Sequence, residues 1–139
     1  MAFANLPDFP FDPNYIEVDG MRMHYVDEGR ENQRTVVLLH GQPSGSYLYR
    51  KMIPLFVAAG YRVIAIDLIG LGKSDKPTQM SDYTIERHVA WVKQALFEKL
   101  DLTNTHMVLH DWGGIIGLRA MADVQDRVAS VTFSNTGFP

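Results

Sequence analysis

Four short apolar runs recur along this chain, at residues 35–39, 62–66, 105–109 and 128–133, with gaps between them long enough for crossover helices. A continuous apolar run of this length is the pattern expected of a strand buried on both faces of a parallel sheet. Parallel strands need a long connection, and strand alternating with helix gives an α/β sheet with helices on both faces. A hairpin precedes the series: residues 15–18 and 21–26 read as two strands around an Asp19-Gly20 turn. The 139 residues suffice for one domain with a real core, so residues 1–139 are read as one unit.

The intervening segments fit this plan. Residues 1–13 carry Pro7, Pro10 and Pro13 and read as an extended arm. A helix is expected from Ser46 to Gly60, kinked or broken at Pro54. Residues 67–81 read as a long loop rich in Gly, Ser, Lys and Pro. Ile85, Val89, Val92, Leu96 and Leu100 repeat at helical spacing, with Thr84 placed to cap the start. A further helix is expected from the turn at residue 111 to about Asp123.

Composition narrows the functional classes. The net charge is −3 with both signs interspersed, which argues against a nucleic-acid surface and against a polybasic membrane segment. The absence of cysteine rules out disulfides and thiolate metal sites. The first residues have neither the basic cluster nor the apolar stretch of a signal peptide, and no apolar run reaches membrane-spanning length. A cytoplasmic location is the default expectation.

In open α/β sheets, active sites gather at the carboxyl ends of the parallel strands. His40-Gly41, Asp67 and Asp111 all fall at such ends. The most specific sequence there is His110-Asp111-Trp112-Gly113-Gly114, directly after Met107-Val108-Leu109. It has the layout of a sharp strand-to-helix turn that presents a nucleophile at its tip. An aspartate in that place is ionised at neutral pH and can attack a saturated carbon to give an ester. The competing reading of Asp111 is a helix N-cap.

The loop His40-Gly41-Gln42-Pro43 follows the preceding strand, where such enzymes place the second half of an oxyanion hole. The backbone N–H groups of Gln42 and Trp112 could therefore converge on one oxygen. The Trp112 indole N–H and the Gln42 amide are donors that could hold a departing anion, against the plainer readings of a core tryptophan and a loop glutamine. His40 is expected to be structural. Gly70-Leu71-Gly72-Lys73-Ser74 does not match a phosphate loop, because no helix opens directly behind it. Asp123 and Asp126 read as solvated, and His106 and His110 lack the neighbours of a metal site. None of the five histidines (His24, His40, His88, His106, His110) follows Asp111, although elbow enzymes order their triad as nucleophile, acid, histidine.

Four stretches together resemble the haloalkane dehalogenases of the α/β-hydrolase superfamily. They are His40-Gly41-Gln42-Pro43-Ser44-Gly45-Ser46-Tyr47-Leu48-Tyr49-Arg50, Gly70-Leu71-Gly72-Lys73-Ser74-Asp75-Lys76-Pro77, His110 to Gly114, and Asn135-Thr136-Gly137-Phe138-Pro139. The elbow alone is shared with epoxide hydrolases; the second stretch and Tyr47-Leu48-Tyr49-Arg50 favour the dehalogenases.

The resemblance implies an α/β-hydrolase fold and a small halogenated alkane, water and halide ion as reaction partners. It implies no metal and no organic cofactor, and a monomeric full-length protein. Asp111 would be the nucleophile, Gln42 and Trp112 the oxyanion-hole N–H donors, and Trp112 with Gln42 the halide site. Family members usually carry Asn or Glu where this chain has Gln42. They are also about twice as long, so the chain reads as the N-terminal portion, stopping after the sixth strand of eight. The cap domain, the triad acid and the histidine would then lie beyond Pro139. Asn135 stands where one subgroup has its acid, which points to the subgroup with the acid after strand seven. A chain so composed is expected to be inactive alone. The alternatives are an epoxide hydrolase and a non-catalytic truncated binding module.

Overall fold

The computed structural model describes residues 7–42 and 44–136. The first six residues of the arm, Pro43, and the Gly137-Phe138-Pro139 end of the last motif lie outside them. Six strands form one sheet: β1 (Asn14–Val18), β2 (Met21–Glu28), β3 (Arg34–Leu39), β4 (Tyr61–Ile66), β5 (Thr105–His110) and β6 (Val128–Ser134). Their order across the sheet is β1-β2-β4-β3-β5-β6. The β1–β2 pair and the β2–β4 pair are antiparallel, and β3 to β6 are parallel. The hairpin turn has positive φ at both Asp19 and Gly20, as a tight two-residue turn between twisted strands requires.

Three helices cover the sheet: α1 (Met52–Ala58), α2 (Ile85–Lys93) and α3 (Trp112–Met121). Alternation along β3 divides the core in two. Val37 and Leu39 face α2 and α3, joining Ile64, Ile66, Met107, Leu109, Val92, Leu96 and Ile116 in one buried cluster. Val36 and Leu38 face the other way, joining Val63, Ala65, Tyr49 and Ile53 of α1, with Phe9 of the arm closing that cluster. No helix among the described residues is long and apolar enough to cross a membrane.

Three expectations need correction. The segment 46–60 is two pieces, a short 3₁₀ turn (Ser46–Tyr49) and α1, and the break falls at Arg50-Lys51. Pro54 is the third residue of α1, in the first turn, where a missing N–H loses no helical bond. The strands β5 and β6 are not buried on both faces. In β5 only Thr105, Met107 and Leu109 are fully buried, and β6 is mostly exposed, with Phe133 39% accessible. On the α1 face no described helix lies over β5 and β6; on the other face Val131 packs against the core cluster, while Phe133, in register with Leu109, is left accessible on the edge strand. The α2 spacing holds, with Thr84 Oγ1 accepting the Arg87 N–H at 3.0 Å. The helix then widens into a π-turn over Gln94–Lys99, which brings Ala95 and Phe97 into the core beside Leu96. The helix after the elbow ends at Met121, two residues before the expected limit.

Candidate active site

The β5-to-α3 turn is as sharp as the sequence requires. Asp111 sits between the last residue of β5 and the first of α3 with φ 55° and ψ −127°, a backbone state that costs a non-glycine residue about 1–3 kcal/mol and needs its surroundings to enforce it. They do. The Asp111 N–H donates to the Ser134 carbonyl at 3.3 Å, and Thr136 Oγ1 donates to the Asp111 carbonyl, so the end of β6 braces the turn from one side. From the other, α3 presses on β3: a Cβ on Gly113 would lie 2.6 Å from the carbonyl oxygens of Leu39 and His40. Only glycine permits that approach. It brings the residues after His40 up to the turn.

What they meet is the Asp111 carboxylate. Asp111 occupies the N-cap position of α3, but its side chain makes no cap bond. Instead Oδ2 accepts the Gln42 N–H at 3.1 Å. The Trp112 N–H points at the same carboxylate, and these two donors hold Asp111 below the usual range for an aspartate, with Trp112 the larger influence. Gly41 is fitted as closely, since a Cβ there would overlap the Asp111 carboxyl group. Between a capping aspartate and a presented one, the geometry favours the second.

Trp112 is 40% exposed, so it is not a core tryptophan, and its indole N–H finds no acceptor among the described residues. Gln42 and Trp112 share a cleft of about 250 Å³ whose apolar walls are Leu68, Leu71, Ile85 and Ile116. A second hollow of about 350 Å³ lies between residues 44–47 and the 70–76 loop, and none of Gln42, Asp111 or Trp112 lines it.

His40 is a structural residue. It is fully buried, with Nδ1 donating to the Gly41 carbonyl at 2.6 Å and Nε2 accepting the Leu68 N–H at 2.9 Å. Both bonds require the neutral ring, and burial lowers its proton affinity in agreement. The rings of His106 and His110 are tied to β6, at Ser130 Oγ (2.7 Å) and the Ser134 carbonyl (3.1 Å). No histidine ring hydrogen-bonds the Asp111 carboxylate among the described residues. Asp123 is exposed and pairs with Lys93 at 2.9 Å, and Asp126 is exposed. Asn135 follows β6 with φ 47°. No three His, Asp or Glu side chains are grouped to hold a metal ion among the described residues.

Asp67, at the end of β4, is brought close to the same loop but faces inward. Its carboxylate accepts His24 Nδ1–H (2.7 Å), the Ser46 N–H (2.6 Å) and the Lys73 N–H (3.0 Å). Burial pushes this carboxyl up, and the three donors together outweigh it, leaving it below its ordinary value. Sequence reasoning assigns His24 no role. The only signal for it is a ring nitrogen donor on a strand that the hairpin places beside β4.

Comparison with known proteins agrees with this geometry. Residues 34–139 match the family model of the alpha/beta hydrolase fold. The haloalkane dehalogenase of Psychrobacter cryohalolentis is 54% identical over 99% of this chain and 46% of its own length. The haloalkane dehalogenase of Paraglaciecola agarilytica, described as tetrameric, superposes with a TM-score of 0.91 at 47% identity, over 96% of this chain and 46% of that one. An epoxide hydrolase variant of Vigna radiata superposes with a TM-score of 0.82 at 32% identity, over 93% of this chain and 40% of that one. The chain therefore spans about half the length of the relatives it matches. A six-stranded sheet in this order, bent at Asp111 in this way and matched over most of its residues, belongs to the alpha/beta hydrolase fold family.

Proposed function

We propose that Asp111 is an alkyl-accepting nucleophile and that the reaction it serves is the hydrolytic removal of halogen from small haloalkanes. The observation that carries this reading is the fate of the Asp111 side chain. At a helix N-cap it makes no cap bond, and it accepts instead an N–H from a loop 69 residues away.

The donors define the chemistry. A carboxylate kept ionised by two N–H groups needs no base before it attacks. One oxygen forms the new C–O bond as the carbon–halogen bond breaks, and the halide leaves with the bonding pair. The Trp112 indole N–H and the Gln42 amide, sharing one cleft, are the groups to receive it. The oxygen that accepts the Gln42 N–H becomes the ester carbonyl. Water added to that carbonyl puts negative charge on the oxygen that the Gln42 N–H already meets, with the Trp112 N–H directed at the same carboxyl group. Collapse returns the carboxylate and releases the alcohol and a proton, so that with the halide lost in the first step the net products are an alcohol, a halide and a proton. His88 lines the same cleft, but no histidine ring among the described residues hydrogen-bonds the Asp111 carboxylate, so this chain by itself is expected to stop at the ester. Similarity to haloalkane dehalogenases at 47–54% identity supports the halide reading over its neighbour.

The Vigna radiata likeness keeps one rival in view, an epoxide hydrolase using the same aspartate. The two are separated by offering the protein 1-bromohexane and 1,2-epoxyhexane in parallel. Bromide release that disappears in Asp111→Asn is expected. Consumption of the epoxide alone would overturn the reading.

A further inference from the structure

We infer that Asp67 is a positioning residue: its carboxylate anchors Gly45 and Ser46, a few residues beyond Gln42 on the chain leaving β3, so that the Gln42 N–H stays aimed at Asp111. The loop leaves β3, which lies between β4 and β5 in the sheet, so an aspartate at the end of each neighbouring strand flanks it. Each grips one end. Gly41 and Gln42 abut Asp111. At the other end the Ser46 N–H donates to Asp67 Oδ1 at 2.6 Å, and a Cβ on Gly45 would sit 2.9 Å from that same oxygen.

Asp67 is itself immobilised from two segments. His24 Nδ1 on β2 and the Lys73 N–H of the 70s loop both donate to Oδ2. Gly72 has a φ of 55°, and a Cβ there would overlap the carboxyl carbon. Ser74 closes the cluster, its hydroxyl donating to the Asp67 carbonyl and accepting the His24 N–H. An acid–histidine pair invites a catalytic reading, which burial excludes. The His24 side chain is 0% exposed and that of Asp67 3%, and His24 Nε2 is buried without a partner among the described residues. Asp67 borders the 350 Å³ hollow but offers it almost no surface, and the His24 ring offers none.

The arrangement matters because only one of the two grips changes during reaction. On the reading proposed above, Asp111 alternates between carboxylate and ester, and an ester oxygen is the weaker acceptor. Asp67 remains a carboxylate throughout and holds the loop while the other end loosens. That purpose rests on the proposed reaction, but the anchoring itself is a statement about geometry and is testable without substrate.

The test compares the folded protein with Asp67→Asn, Ser46→Pro and Ile53→Val, reading the carboxyl-carbon NMR titration of Asp111 and amide hydrogen exchange at Gln42. Asp67→Asn sets an amide NH2 against either the Ser46 or the Lys73 N–H, so whichever way it turns one anchoring bond becomes a donor–donor clash and the carboxylate charge is lost. Ser46→Pro deletes the single N–H that reaches Oδ1 and leaves Asp67 intact; it falls at the start of a 3₁₀ turn behind an extended Gly45, where proline fits. Ile53→Val perturbs the α1 core without touching the loop. Both loop variants are expected to move the Asp111 midpoint up toward the ordinary value of about 3.9 and to speed Gln42 exchange roughly tenfold. Ile53→Val should leave both unchanged. If Asp67→Asn does not fold, Ser46→Pro decides the matter alone. Unchanged readings in Ser46→Pro, or equal changes in Ile53→Val, would overturn the inference. Since no haloalkane is present, failure of the dehalogenation reading would leave this result standing, and the reverse also holds.

Discussion

The chemistry proposed for this chain turns on contacts that allow no added atom. Gly41 packs so closely on Asp111 that a methyl group there must displace the carboxylate, and the Gln42 N–H loses its acceptor. Gly41→Ala is therefore expected to slow alkylation of Asp111 by about a hundredfold, the order of loss caused by a small misplacement of a reacting group. The rate of adduct formation in intact-mass time courses checks this. An unchanged rate would mean that the loop is not what holds the nucleophile. Asp111, Gln42 and Trp112 are legible in the sequence alone because they sit next to strand ends marked by apolar runs. The Asp67–His24 pair is not. Its partners are 43 residues apart in sequence, and only the antiparallel docking of β2 on β4 brings them together.

Among the elements, α2 shows how far periodicity reaches. Its cap is simple chemistry, one threonine hydroxyl accepting one free N–H, and Thr84→Ala should cost about 1 kcal/mol. For a domain of this size that corresponds to a fall of about 4 °C in Tm, measurable by calorimetry. The apolar spacing marks the helix and its buried face. It carries no sign of the π-turn over Gln94–Lys99, because one extra residue in a turn shifts the face without altering the composition. The break before Pro54 is hidden for a different reason. A proline is as compatible with the first turn of a helix as with its interruption, and the choice depends on where the preceding chain leaves the sheet. The strands are legible in their apolar runs, but the same runs overstate burial for β5 and β6. An apolar residue in a strand shows that it can be covered, not that a helix lies above it.

Across the whole molecule the covering is lopsided. The arm, α1, α2 and α3 enclose β3 and β4. Among the described residues β6 forms one edge of the sheet, with no strand paired on its outer side and most of its side chains exposed. Its sequence, Val-Ala-Ser-Val-Thr-Phe-Ser, carries no charge to discourage strand addition. The 139-residue chain is expected to self-associate at micromolar concentration, as light scattering coupled to size exclusion would show. A monodisperse monomer that melts cooperatively would contradict this. The same sheet delivers the ends of β3, β4 and β5 side by side, which is why residues 42, 67 and 111 meet around one loop.

Everything proposed for the reaction depends on whether Asp111 forms an ester. The decisive measurement is intact-mass spectrometry of the chain after incubation with 1-bromohexane, followed by peptide mapping. The expected result is one hexyl adduct per chain, located on Asp111, persisting on removal of excess reagent and absent from Asp111→Asn. An adduct elsewhere, or no adduct on a chain shown to be folded, would contradict it.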